Sequence, residues 1–179
     1  MSKKRKRVGN TTKPKTSVKL DPSQTKISNL IYIDLVKYPN WTKSIKMGEF
    51  TNHFKDADEA LRHFYLIINR LIPDIESYGR DIFAGKADHC HKIYGDQRNL
   101  AYKIIRKIHG EKTLDEDSEL WELAGKTEEI RIIGTFVNES ITIFYPLFID
   151  HHHLLYPSKF YNQPDYKTYS YSTTDIFSK

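Results

Sequence analysis

The sequence has little of what stabilises secreted proteins or anchors membrane proteins. Its 179 residues include a single cysteine, Cys90, so no disulfide can form within the chain. No apolar run approaches the roughly 20 residues that a membrane-spanning helix needs. The N-terminus carries charge but lacks the apolar core of a secretory signal. We therefore expect a cytoplasmic protein with no membrane segment.

Several common catalytic motifs are also absent. The chain contains no P-loop, no G-x-G-x-x-G, no H-E-x-x-H and no G-x-S-x-G. Nucleotide hydrolysis, nicotinamide chemistry and serine hydrolysis therefore have no support, and we expect no cofactor.

Positive charge is concentrated at the N-terminus. Residues 1–19 hold eight of the 28 lysines and arginines and no acidic residue, which leaves 20 basic against 23 acidic residues in the remainder. The formal net charge of +5 therefore describes this segment and not the rest of the chain. Residues 1–25 are rich in Lys, Thr, Pro and Ser, which predicts a disordered basic tail. Such a tail could contact nucleic-acid phosphates or serve only solubility.

Hydrophobic periodicity predicts a single α+β domain over residues 26–157, followed by a Tyr-rich extension at 158–179. Apolar side chains recur at helical spacing and predict an amphipathic helix over 57–71; they are Leu61, Phe64, Tyr65, Ile68 and Leu71. Further helices are predicted at 74–83 and 97–109. Strands are predicted at 29–37, 120–123, 129–136 and 140–150, with a weaker strand at 41–47. We expect the helices to pack on one face of a small antiparallel sheet.

The last long strand leads into Asp150-His151-His152-His153, with Tyr156 close behind. A strand needs no such cluster. If the strand continued, His151 and His153 would share one face, because alternate residues of a strand point to the same side. Two such imidazoles can act as an acid/base pair near neutral pH or bind a transition metal. The alternative is a strand end with one buried and two solvated histidines.

A second cluster is Asp88-His89-Cys90-His91, in an irregular stretch after a predicted helix. Its residue types suit a metal, and the alternative ligand set would be His89, His91, His151 and His153. Ordinary packing or solvation of these side chains remains the other interpretation.

A third group is basic. Lys103, Arg106 and Lys107 are spaced i, i+3 and i+4 and should share one face of a helix. Together with Lys159 and the aromatic Tyr156 and Tyr161, they could form a surface for single-stranded RNA. A solvated helix face would show the same pattern.

Three segments of the second half resemble the RelE/ParE/HigB toxin superfamily: Leu120-Trp121-Glu122-Leu123, Ile130-Arg131-Ile132, and Ile143-Phe144 to Phe148-Ile149. That superfamily has a RelE-like α+β fold, and its ribonuclease members cleave RNA without a metal, with Arg, Lys, His or Tyr side chains in a cleft on the sheet. Arg131 matches residue by residue. The family's lysine pair after the last strand is replaced here by the histidines, and some members of the fold poison gyrase instead of cutting RNA.

The resemblance implies a RelE-like RNA-binding protein or metal-independent endoribonuclease of toxin or phage-defence type, with RNA and an antitoxin or other protein as candidate partners. His151 or His153 would take the proton of the ribose 2′-OH. Arg131 would stabilise the phosphorane charge, and a second histidine or Tyr156 would protonate the leaving oxygen. The rivals are a non-enzymatic binding module of a mobile-element or defence system, and a His-rich metal-dependent nuclease. The sequence does not indicate an oligomeric state.

Overall fold

The computed structural model describes residues 30–115, 117–126, 130–138, 141–157, 166 and 168–176. The predicted basic tail at 1–25 lies outside these residues. So do Lys159 and Tyr161, the two expected RNA contacts in the C-terminal extension.

The described residues form seven strands and four α-helices. The strands are β1 (Ile31–Ile33), β2 (Lys46–Met47), β3 (Phe50–Thr51), β4 (His91–Lys92), β5 (Trp121–Ala124), β6 (Arg131–Asn138) and β7 (Thr142–Asp150). The helices are α1 (Ala57–Leu66), α2 (Ile72–Tyr78), α3 (Gly95–His109) and α4 (Thr173–Ile176), with a π-helix at Ile67–Leu71 joining α1 to α2, and 3-10 turns at Pro39–Thr42 and Gly79–Ile82. None of the helices in the described part of the chain is long and apolar enough to cross a membrane.

The predicted α+β class is confirmed, but the main sheet is mixed and not antiparallel. Its strand order is β1-β7-β6-β5-β4, and β2 and β3 form a separate hairpin. β1 pairs parallel to β7, while the other neighbours in the main sheet are antiparallel. β1 can pair parallel to β7 because all of the helices α1 to α3 lie between them in the sequence. This connection is long enough for the crossover that a parallel pair requires.

Helices cover both faces of the sheet, where the sequence predicted one. On one face, Leu71 and Ile75 of the α1–α2 layer pack with Trp121 and Leu123. On the other face, α3 packs against residues that alternate with these along the strands, including Leu120 and Ile133. The strands are therefore apolar on both sides, and a sheet buried in this way needs two covering layers.

A register shift between β6 and β7 decides which face Asp150 joins. The shift lies beside Gly134, and it places Phe144 with the α1–α2 layer but Phe148 with α3. Asp150 lies two residues after Phe148 and therefore points to the same face of the sheet, so the shift brings Asp150 to the α3 face. A Cβ at Gly134 would lie 2.5 Å from the ring of Phe144, so only glycine allows this close approach.

The amphipathic stripe predicted for the first helix faces solvent, and the opposite side of the helix faces the core. Four members of the stripe are largely exposed, at 58 % for Leu61, 59 % for Phe64, 60 % for Tyr65 and 40 % for Ile68. The buried positions are spaced by four: His63, Ile67, Leu71 and Ile75. The π-helix accounts for this spacing, because its wider turn keeps residues four apart on one side. Only Leu71 of the predicted stripe reaches the core.

Candidate active site

The chain turns at Asp150 because that side chain binds the backbone that follows it. Its carboxylate accepts N–H bonds from His152 (3.2 Å), Leu154 (2.9 Å) and Leu155 (2.6 Å). Burial raises the pKa of Asp150, the N–H groups of Leu154 and Leu155 lower it, and the charge of Glu122 raises it further. Asp150 therefore anchors residues 151–155, termed here the His loop.

The three histidines of the His loop turn to three different partners. Nδ1 of His151 lies 3.2 Å from Nδ1 of His63 on α1, and its ring is 4.3 Å from that of Phe54. Nε2 of His152 bonds the carbonyl oxygen of His53 at 2.8 Å. Nε2 of His153 lies 3.5 Å from Oε1 of Glu122. The expected pairing of His151 with His153 is therefore wrong, because β7 ends at Asp150 and strand alternation stops there.

His153 joins a group that we call the Glu122 cluster: Glu122, His91, Arg131, His153 and Tyr156. Glu122 on β5 stands opposite His91 on β4, and β6 supplies Arg131. Oε1 of Glu122 lies 3.6 Å from Nε2 of His91 and 3.5 Å from Nε of Arg131. The Tyr156 ring lies 5.5 Å from that of His91 and 6.3 Å from that of His153.

Glu122 is a buried carboxylate at the centre of this cluster. Its side chain is 1 % exposed, and that of Arg131 is 8 % exposed. Arg131 also donates from Nη1 to the carbonyl oxygen of Ile130 at 3.2 Å. Within the part of the chain that the structure describes, nothing hydrogen-bonds Oε2 of Glu122. Burying this carboxylate costs stability, and its ion pair with Arg131 offsets part of that cost.

The two histidines of the cluster are its solvent-facing groups. The side chain of His91 is 48 % exposed and that of His153 is 30 % exposed. His91 also directs Nδ1 to the carbonyl oxygen of Lys92 at 3.1 Å, so both of its nitrogens face acceptors. The backbone of His153 has a φ of 54°, a left-handed conformation that non-glycine residues adopt sparingly and that is common at functional sites.

Tyr156 closes the cluster as a neutral phenol. Burial raises the pKa of Tyr156, and the charge of Glu122 raises it further, while a hydrogen bond with the backbone of Tyr94 lowers it. The ring stands against both imidazoles and is half-buried. It can therefore donate or accept a hydrogen bond beside them.

The arrangement suits proton transfer better than metal binding. A carboxylate that faces one imidazole nitrogen orients the ring and stabilises its protonated form, as in catalytic triads. Among the described residues, no group of three His, Cys, Asp or Glu side chains could hold a metal ion. The alternative ligand set is not brought together, because His151 is buried against His63 while His91 and His153 face Glu122.

Cys90 is a packed thiol. It is 5 % exposed, and its Sγ lies 3.5 Å from the carbonyl oxygen of Ala124. Burial raises the pKa of the thiol, which disfavours the reactive thiolate. Of the Asp88–His91 segment, only His91 enters the Glu122 cluster.

The basic residues of α3 share one outer side of that helix, as expected. Lys103 and Lys107 are exposed, while Arg106 is half-buried and pairs with Glu111 at 3.6 Å. An open cavity of about 440 Å³ is lined by Arg98, Asn99, Tyr102, Lys103 and Arg106. A second groove of about 430 Å³ is lined by Lys103, Leu155 and Pro157, and also by the acidic Glu49 and Asp96. Neither cavity is lined by a residue of the Glu122 cluster.

Two residues of this region were not recognised from the sequence. Glu122 carries a signal, since it is a lone charge between large apolar residues in a short strand. His63 carries a weaker one, since it lies four residues before Ile67 and therefore on the same face of the helix.

Comparison with known proteins identifies the family. The model of the family described as Uncharacterised protein UU032 matches residues 37–179. The chain is also 33 % identical over 177 residues to "Uncharacterized protein UU032" of Ureaplasma parvum serovar 3 (strain ATCC 700970), covering 97 % of each chain. No solved structure matches the chain. The chain therefore belongs to the UU032 family.

Proposed function

We propose that the protein is a RelE-like, metal-independent endoribonuclease that acts on single-stranded RNA at the Glu122 cluster. The observation that carries the proposal is the convergence of His91, His153 and Arg131 on one buried carboxylate oxygen, with both imidazoles open to solvent. Two accessible histidines supply the proton acceptor and the proton donor that RNA transesterification needs.

In this mechanism, His153 takes the proton of the ribose 2′-OH, and the 2′-oxygen attacks the adjacent phosphorus. The bond from phosphorus to the 5′-oxygen breaks, and His91 gives that oxygen its Nδ1 proton, which leaves the carbonyl oxygen of Lys92. The products are a 2′,3′-cyclic phosphate and a free 5′-hydroxyl. Glu122 faces the Nε2 atom of each histidine and stabilises whichever ring holds the proton.

Arg131 has a different part from the one expected from the sequence. Its side chain is 8 % exposed and faces Glu122, so it is placed to balance the buried carboxylate instead of contacting a phosphate. The developing phosphorane charge is then met by the imidazolium of the cluster. His151 is excluded from proton transfer in this scheme because it is buried against His63.

The surface around the cluster suits a single strand. Tyr94 is 68 % exposed and its backbone bonds Tyr156, so the two rings offer stacking faces for bases beside the histidines. Phosphate binding is assigned to the exposed Lys103 and Lys107 of α3.

The test is cleavage of labelled single-stranded RNA by the purified full-length protein in the presence of EDTA. We expect 2′,3′-cyclic phosphate ends, no cleavage of DNA of the same sequence, and a loss of 100-fold or more in His153→Gln. His89→Gln is the matched control, an exposed histidine outside the cluster, and should cleave like the wild type. Activity that survives in H153Q, or that needs an added metal, would contradict the proposal.

One observation favours a second candidate, which is RNA binding without turnover. Lys103 and Lys107 are exposed on one side of α3 whether or not the cluster is catalytic. Binding by a protein of this kind would weaken with salt and would be unchanged in H153Q, with the RNA recovered intact.

A further inference from the structure

A buried pair of imidazoles lies behind the His loop. His63 on α1 is 6 % exposed and His151 is 5 % exposed, and their Nδ1 atoms are 3.2 Å apart. A contact of this length between two ring nitrogens is a hydrogen bond only if one ring donates and the other accepts. One proton therefore lies between the two Nδ1 atoms.

The surroundings of the pair disfavour a positive charge on either ring. Burial lowers the pKa of His63 to about 4; Glu59 on α1 raises it, while His152 and Arg62 lower it. Burial also lowers the pKa of His151, as do His63 and His152. The Phe54 ring packs on both imidazoles, at 5.7 Å from His63 and 4.3 Å from His151.

The other contacts of the His loop hold the backbone on either side of His153. Asp150 holds the backbone N–H groups, and His152 bonds the His53 carbonyl oxygen while its ring lies 4.9 Å from that of Tyr169. Leu154 and Leu155 are buried in the core beside α3. His151 is the anchor on the α1 side, two residues before His153, whose left-handed backbone needs support from both sides.

We propose that His63 is a positioning residue for the Glu122 cluster. Its hydrogen bond to His151 fixes the start of the His loop, and the loop in turn sets the His153 ring against Glu122. The kinetic consequence rests on the proposed endoribonuclease function, while the effect on the loop does not.

The position of His63 in α1 supports this assignment. Turning α1 so that His63 faces inward leaves Leu61, Phe64 and Tyr65 in solvent, which loses apolar burial that the opposite orientation would gain. A helix that buries a histidine and exposes three large apolar side chains is not arranged for core stability alone.

Three variants separate positioning from packing. His63→Leu keeps an apolar side chain against Phe54 but removes the hydrogen bond. His63→Asn places an amide near the Nδ1 position and can restore the bond. Ile67→Val is the matched control. Ile67 is buried one turn further along the helix, in the same core cluster as Leu71 and Ile75, so shortening its side chain destabilises the same layer.

The first measurement is amide hydrogen exchange at Leu154 and Leu155 in the full-length protein, followed by NMR under conditions where the wild type is folded. We expect H63L to speed exchange at these two amides at least tenfold relative to I67V, and H63N to return it to within threefold of the wild type. Equal exchange in H63L and I67V would overturn the proposal.

The second measurement is RNA cleavage by the same variants. H63L should lower kcat at least tenfold with KM within twofold, I67V should leave both nearly unchanged, and H63N should recover most of kcat. A change confined to KM would contradict positioning of the acid/base group. If the wild type cleaves no RNA, the proposed function fails, and the exchange measurement still decides the role of His63.

Discussion

The Nε2 atom of His153 lies 3.5 Å from Oε1 of Glu122, a carboxylate that is 1 % exposed. The contact joins the His loop, which follows β7, to the middle of β5. The two residues are more than thirty positions apart in the sequence. It depends on three features together: the turn at Asp150, the register shift beside Gly134 and the left-handed backbone of His153.

Replacing the central carboxylate should affect both stability and activity. Glu122→Gln leaves the Arg131 guanidinium buried beside a neutral amide, so we expect a loss of about 3 kcal/mol in the free energy of unfolding. The imidazoles also lose their charged partner, and RNA cleavage should fall at least 100-fold. Glu119→Gln is the control, since Glu119 is exposed and pairs with Lys92 at 2.6 Å; it should change stability by less than about 1 kcal/mol. Urea unfolding measures the stability of the two variants. Equal losses in E122Q and E119Q would contradict the buried position of Glu122.

Asp150 should contribute more to the free energy of unfolding than a turn-forming aspartate at the surface. Asp150→Asn keeps the size of the side chain but offers one acceptor oxygen to three N–H groups, so we expect a loss of about 2–3 kcal/mol. Asp34→Asn is a matched control, because Asp34 accepts the N–H groups of Val36 and Lys37 in an exposed turn. Urea unfolding should show a loss below about 1 kcal/mol for D34N. A similarly small loss in D150N would show that Asp150 does not anchor the His loop.

Acid should destabilise the fold through the buried imidazole pair. The pKa of His63 is lowered to about 4 in the folded protein, below its usual 6.5. Between these values the unfolded chain binds more protons than the folded one, so stability must fall as the pH drops from 6.5 to 4. We expect His63 to account for a loss on the order of 2–3 kcal/mol. Urea unfolding across this range should show a steeper dependence on pH for the wild type than for H63L. Parallel curves would contradict a neutral His63.

The orientation of α1 can be tested with exposed aromatic residues. Phe64 is 59 % exposed, so Phe64→Ser should change the free energy of unfolding by no more than about 0.5–1 kcal/mol. Leu71 is fully buried, and Leu71→Ala should lose about 2–5 kcal/mol. Thermal or urea unfolding of the two variants suffices. A large loss in F64S would mean that the predicted amphipathic stripe faces the core after all.

The strands of the second half could be predicted from the sequence because their chemistry is local. The β-branched and aromatic residues of β6 and β7 favour extended backbone, and Gly110 marks the end of α3. The direction in which a helix faces is not local. Helical spacing shows that Leu61 and Phe64 share a side, but not whether that side meets the sheet. His63 faces the core because of a partner 88 residues away.

The site was only partly predictable for the same reason. Arg131 and His153 could be named, and both face Glu122. Their relation to His91 depends on β4 pairing with β5, which no local pattern indicates. The assumption that alternation continues past Asp150 also failed, because the Asp150 carboxylate accepts three N–H groups of the residues that follow it and turns the chain there.

The most direct test of the central claim is a double-mutant cycle on RNA cleavage with His153→Gln and Glu122→Gln. Because Glu122 supports His153 and also His91, the double variant should be slower than H153Q alone, but its loss should be much smaller than the product of the two single losses. Losses that multiply in the double variant, or RNA that the wild type leaves intact, would contradict the account.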